Sequence, residues 1–163
     1  MNEITITKHE GGFRLKTEQR FPLPAADVFP FFADAGNLQA ITPANLHFQI
    51  LTEMPIEMRP GAVIDYKIRL RGFPIHWQTE ITAWEPTYRF VDRQLKGPYK
   101  WWIHEHLFEE RDGETVAIDI VDYGVPLAFI AHPLLVKNDL IKIFRFRHEV
   151  LAKRFGEVSC ATG

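Results

Sequence analysis

His104 and His106 are two residues apart, so on a β-strand both imidazoles point the same way. With a carboxylate close by, such a pair can move a proton at neutral pH or hold a metal ion through nitrogen and oxygen ligands. Asp92 and Asp119 are the candidate carboxylates, each in a segment that also alternates like a strand. Tyr123 follows Asp119 by four residues and adds a phenol to the same strand face. If the chain does acid–base chemistry, His104, His106 and Tyr123 are its candidate catalytic groups. A zinc site built from the two histidines and Asp92 or Asp119 is chemically possible. Two histidines on a strand are more often polar packing groups or hydrogen-bond relays, so the sequence leads us to expect no metal and no cofactor. Nucleophilic catalysis has little support. Ser159 and Cys160 are the only serine and the only cysteine, both at the C-terminal end. There is no G-x-S-x-G, no phosphate-cradling glycine loop and no dinucleotide fingerprint.

Arg147 is the other residue out of place. At 100° per residue, Leu140, Ile143, Phe144, Val150, Leu151 and Phe155 form the apolar face of a C-terminal helix, and Arg147 falls in its middle. An unpaired guanidinium buried there costs several kcal/mol, so it needs a carboxylate, a polar cavity or a ligand oxygen. A snorkelling side chain or a structural ion pair is the ordinary outcome. The sharper one is a fork of donors gripping a carboxylate or carbonyl.

The elements that would position these groups are legible from periodicity. Phe13 to Phe21 alternates as a strand, with Ile4 and Ile6 as a short partner across a turn at Gly11-Gly12. Ala25 to Ala33 reads as a helix in which Pro30 is awkward, and a second short helix is predicted over Asn37 to Ile41. Val63 to Arg71 is a strand with Ile64, Tyr66, Ile68 and Leu70 on one face. After Gly72-Phe73-Pro74, Ile75, Trp77, Thr79 and Ile81 face inward. Further strands span Arg89–Leu95, Trp101–Glu110 and Thr115–Tyr123, the last two joined at Arg111-Asp112-Gly113. Phe90, Asp92 and Gln94 share a face, as do Trp102, His104, His106 and Phe108; both faces of these strands are mixed, so alternation leaves open which is inside. A helix from about Val136 to Phe155 closes the chain. This is an α+β pattern, an antiparallel meander wrapped around a terminal helix with a pocket between them.

At 163 residues the chain has the length of one domain, and we expect a single unit over residues 1–163. Aromatic residues make up 13%, including thirteen Phe and four Trp, and these need a large apolar interior. Nineteen Lys plus Arg against twenty-one Asp plus Glu leave a formal charge of −2, which argues against a nucleic-acid partner. The apolar run Val125–Val136 is broken by Pro126, His132 and Pro133 and is too short for a bilayer span, so no stable membrane insertion is expected. It reads as a core-covering segment or as a lid over the pocket. One cysteine and an N-terminus without a basic-then-apolar stretch suggest a cytoplasmic protein.

The residues also resemble a known family. Phe21-Pro22-Leu23-Pro24, Val28-Phe29, Phe31 to Ala35 and Ile41-Thr42-Pro43 are similar to the start of START-like (SRPBCC) proteins. His76 to Thr79, Trp84-Glu85-Pro86, Phe90-Val91-Asp92, Gln94, Gly97-Pro98-Tyr99, Trp102-x-His104-x-His106-x-Phe108, Asp119, Tyr123 and Phe144-x-x-Arg147 continue the likeness. It runs from about residue 13 to 155 and is closest to a bacterial cyclase/dehydrase-like, ligand-binding SRPBCC subgroup. The resemblance implies the helix-grip fold, with a hydrophobic cavity between sheet and C-terminal helix. Carried over, Asp92, Gln94, Trp102, His104, His106, Asp119, Tyr123 and Arg147 would line or close that cavity, joined by Tyr66, Trp77 and Thr79 from the inward strand faces. The expected function is binding of a small hydrophobic or aromatic molecule. The alternatives are a polyketide-type cyclase or dehydratase using the His and Asp groups, and a protein-partner domain with no ligand, which an exposed apolar patch at Phe129–Leu135 would favour.

Overall fold

The computed structural model describes residues 3–126 and 133–158. Eight strands form one antiparallel sheet: β1 (Ile4–His9), β2 (Gly12–Phe21), β3 (Gln49–Ile50), β4 (Val63–Leu70), β5 (Phe73–Glu85), β6 (Arg89–Lys96), β7 (Trp101–Arg111) and β8 (Glu114–Gly124). Their order across the sheet is β1-β2-β8-β7-β6-β5-β4-β3. After β2 the chain crosses to the far edge through helix α1 (Ala25–Ala33) and two short 3-10 turns, Ala35–Gln39 and Ala44–Leu46. The long helix α2 (Pro133–Phe155) follows the last strand. This is the α+β arrangement expected from the sequence.

Three of the hairpins share one turn. Glu10-Gly11, Arg71-Gly72 and Asp112-Gly113 all have positive φ at both residues, so each is a two-residue connection whose twist matches its strands. Glycine at the second position removes the Cβ penalty there. Such tight connections fix register, which for the last of them decides which side chains of β7 and β8 face the helix.

Some details differ from the sequence reading. The second short helix lies at Ala35–Gln39 rather than Asn37–Ile41 and is a 3-10 turn, because the Asp34 carboxylate caps the Gly36 amide at 2.8 Å and starts it early. Helix α2 begins at Pro133, three residues before Val136, since proline is tolerated in a first turn where its missing N–H costs nothing. Pro30 does sit inside α1, on its exposed side, where water can take the place of the lost bond. Residues 127–132 lie outside the described residues, and so does most of the segment expected to be a lid or an exposed patch, as do Ser159 and Cys160. Among the described residues, no helix is long and apolar enough to cross a membrane.

Two apolar cores hold α2 on the concave face. One gathers Phe21, Phe29, Phe31, Phe90, Phe108 and Leu151. The other gathers Leu15, Trp77, Trp102, Tyr123, Leu140 and Phe144. The Gln19 amide donates to the His148 carbonyl at 2.8 Å, and Thr17 Oγ1 lies 3.2 Å from His148 Nε2, so β2 also grips the helix through polar groups. At the opposite rim Arg71 binds both carboxylate oxygens of Asp139 at 3.0 Å. Where β2 starts, a Cβ on Gly12 would meet the Tyr123 carbonyl oxygen at 2.2 Å, a backbone atom that cannot step aside. Gly12→Ala should therefore cost about 1–3 kcal/mol, read as a lower urea midpoint at unchanged slope.

Candidate functional site

Between the two cores the concave face carries charge. Asp92 on β6 pairs across the sheet with His104 on β7, and Asp119 on β8 pairs with His106. Alternation and register thus bring four chemically active groups from three adjacent strands to one spot. The sequence left the inner face undecided; it is the face of Trp102, His104, His106 and Phe108.

The contacts are short and crossed. His104 Nε2 donates to Asp119 Oδ1 at 2.7 Å, and His106 Nε2 donates to Asp92 Oδ2 at 3.1 Å. His106 Nδ1 is 3.2 Å from Asp119 Oδ1 but out of line with it, and has no hydrogen-bond partner. His104 Nδ1 is 3.9 Å from Asp92 Oδ2. The single Thr79 hydroxyl proton has two acceptors in reach, the Arg93 carbonyl at 2.9 Å and Asp92 Oδ1 at 3.2 Å. The imidazoles stack on each other with centroids 3.7 Å apart, and His106 lies flat on Phe90 at 4.0 Å. Only 5% of His104 and 7% of His106 is exposed.

Arg147 completes the group from α2. Its side chain is 11% exposed, its Nη1 lies 3.8 Å from Asp119 Oδ1, and its guanidinium sits 4.8 Å above the Phe144 ring. Its Nε is buried without a hydrogen-bond partner. The burial read from helical phase is therefore real, and Asp119 is the carboxylate that answers it.

Burial alone would push both carboxyls up, but the histidines outweigh it, holding Asp92 below and Asp119 well below the usual carboxylate range. Burial and the neighbouring His106 push His104 down. Burial also opposes charge on His106, yet the two carboxylates overcome it and hold this ring above its ordinary value. Both carboxyls are thus ionised at neutral pH, and of the two imidazoles His106 is the one that holds a proton more tightly.

A cavity of about 170 Å³ opens beside this group, between the sheet and α2. Of the residues expected at the site, Tyr66, Trp77, Thr79, Asp92, Trp102, His104, His106 and Arg147 line it. Asp119 lies behind the histidines. Gln94 is not in the lining: its amide exchanges hydrogen bonds with the Tyr99 backbone at 2.8 and 3.3 Å, bracing the β6–β7 turn. Tyr123 packs instead into the second core against Phe13, Tyr99 and Trp102, where burial pushes its phenol up to about 12. The expected set missed Tyr99, Phe48, Leu38 and Ile41 among the lining residues. The signal for Tyr99 was present, since Gly97-Pro98 must turn the chain back toward the sheet.

Solved structures share this architecture. Protein Ms6760 from Mycobacterium smegmatis superposes with a TM-score of 0.65 at 19% identity, over 91% of this chain and 95% of that one. A protein from Arthrobacter aurescens gives 0.68 at 14% identity over 91% of each chain. The ginseng major latex-like protein 151 from Panax ginseng gives 0.59 at 14% identity, over 83% of this chain and 95% of its own. The chain has the START-like helix-grip fold. No family model matches its sequence, and no curated protein matches it.

Two outcomes follow from the site. Arg147→Ala strands the Asp119 charge and should cost about 2–3 kcal/mol, while the exposed Arg145→Ala stays within ~0.5 kcal/mol; equal melting temperatures would show that Arg147 is not buried. In NMR titration of the metal-free protein, His106 should titrate above its ordinary value of ~6.5 and His104 and the half-buried His148 below it. The raised His106 thus adds stability at pH below ~6.5 that is lost as pH rises through its folded value. The two depressed histidines add stability above ~6.5 that is lost as pH falls through their folded values. A His104 midpoint above that of His106 would overturn the charge assignment.

Proposed function

We propose that the protein binds a small hydrophobic or aromatic molecule in the cavity between the sheet and α2, oriented by the polar groups at its inner wall. The observation that carries this reading is the cavity of about 170 Å³ together with its walls. An apolar void of roughly 150 Å³ is enough to bind benzene, so the space suits a molecule of one or two rings. Tyr66 and Trp77 present near-parallel rings 5.8 Å apart, and Trp102 stands edge-on to Trp77 at 5.5 Å, which gives flat walls for a flat ligand. Arg147 and the His104–His106 pair, with Asp92 and Thr79 beside them, supply directed polar contacts in a mostly apolar pocket.

Acid–base turnover of the bound molecule is the second reading, and one observation favours it. Asp119 accepts the Nε2 proton of His104, which leaves Nδ1 as the lone-pair nitrogen. That is the arrangement of an oriented general base.

Native mass spectrometry of the purified protein, followed by solvent extraction, tests the binding reading. The expected result is a stoichiometric small molecule, or, from an empty protein, quenching of Trp77 and Trp102 emission by one- and two-ring aromatics. Leu140→Trp, which fills the cavity from α2, should abolish that quenching. The absence of both a co-purified ligand and quenching at millimolar concentration would refute it. Recovery of a chemically altered ligand would favour turnover over carriage.

A further inference from the structure

The two histidines and Asp92 have a geometry that the hydrogen-bonded account of the site does not use up. Asp92 Oδ2 lies 3.1 Å from His106 Nε2 and 3.9 Å from His104 Nδ1. Donor atoms from all three residues lie within 4.8 Å of one another. With bonds of about 2.0–2.1 Å, neighbouring ligands of a tetrahedral zinc ion sit about 3.3 Å apart, so the two distances straddle the required edge. The two rings are tilted by 31°, so aiming both nitrogens at a common point requires them to turn further apart about their χ angles.

The outward-facing atoms matter as much. A metal-bound imidazole almost always has its other nitrogen fixed by a carboxylate or carbonyl, which sets the tautomer and aims the lone pair. Here one carboxylate oxygen, Asp119 Oδ1, fixes His104 Nε2 at 2.7 Å and lies 3.2 Å from His106 Nδ1, near that ring but out of line with it. Asp92 has its second oxygen 3.2 Å from the Thr79 hydroxyl. The outer supports of His104 and Asp92 are thus formed and that of His106 is within reach, all on four adjacent hydrogen-bonded strands rather than on loops.

We propose that Asp92 Oδ2, His104 Nδ1 and His106 Nε2 form a binding site for a divalent transition-metal ion of the zinc or ferrous class, backed by Asp119. Two nitrogens and one oxygen suit those ions; calcium and magnesium favour all-oxygen shells. Three protein ligands leave at least one position free, and all three residues line the cavity, so that position is open to water or to an oxygen of a bound molecule. The sequence weighed against a metal because two histidines on a strand are more often polar packing groups or hydrogen-bond relays. The proposal does not rest on the ligand-binding reading: it can fail with the cavity still binding an apolar molecule.

The test uses the full chain without a histidine tag, stripped with a chelator and titrated with zinc sulfate by calorimetry. One equivalent should bind, and cobalt(II) in its place should give the visible absorption of a four-coordinate ion. His106→Ala and Asp92→Asn should abolish this uptake, and Asp119→Asn should weaken it about 10- to 100-fold. His76→Ala and His9→Ala, which alter the surface His–carboxylate pairs, should leave it unchanged. Because a buried variant can fail to fold, the wild type is also read directly. On zinc addition the imidazole resonances of His104 and His106 should move, while those of His9, His47 and His76 stay. No stoichiometric uptake, or shifts at the surface histidines instead, would overturn the proposal.

Discussion

Two carboxylates beneath an apolar helix stay ionised only if hydrogen-bond donors and positive charge are held close to them. Water, which would otherwise stabilise them, is largely excluded. Asp92 and Asp119 meet that condition through His106, through the Nε2–H of His104, and through Arg147 reaching down from α2. Much of the architecture can be read as the means of holding this arrangement. The helix cannot rotate without withdrawing Arg147 from Asp119. The strands cannot slip by one residue without turning every charged group to the other face. Tight two-residue turns at the ends of β2, β5 and β8 make such a slip costly.

The apolar parts answer the same constraint from the other side. His106 lies flat on Phe90, which belongs to the first core, and His104 stands edge-on to Trp102 and Phe144 of the second. The polar group is therefore the seam between two aromatic clusters rather than an island in either. A seam of this kind resists complete filling, because a large apolar side chain pressed against it would strip its remaining solvation. That gives a physical reason for a cavity to persist beside it in a protein so rich in Phe and Trp.

Much of this was legible in the sequence, and the limits are physical. The strands around Ile64 to Leu70 and Ile75 to Ile81 alternate cleanly, so their inner faces could be named from spacing. Arg147 was found by helical phase, because a charge in the middle of an apolar face has few ways to exist. The three strands that hold the site were ambiguous for the same reason that they form it: a buried polar cluster erases the contrast between faces on which alternation depends. Gln94 and Tyr123 were placed at the cavity by the family resemblance, and the alternation of their strands agreed with it. Parity fixes the face and not the position along it, and Gln94 turns to the Tyr99 backbone while Tyr123 lies on the far side of Trp102. The early start of the 3-10 turn at Ala35 depended on a single side-chain cap at Asp34, below the resolution of any pattern of apolar spacing.

The charge balance also constrains what the pocket can accept. With two carboxylates already at the inner wall beside His106 and Arg147, an anionic ligand head would add a third negative charge in a poorly hydrated space. A neutral acceptor, such as a carbonyl, takes a bond from Arg147 without disturbing that balance, and Arg147 Nε is a donor with no partner in the protein. A divalent ion changes the sum, since it displaces at most one proton, that on His106 Nε2, while adding two charges, and the wall then favours an anion. The occupant of the polar wall therefore decides the class of molecule the apolar wall is asked to hold, which ties the chemistry of the cluster to the specificity of the cavity.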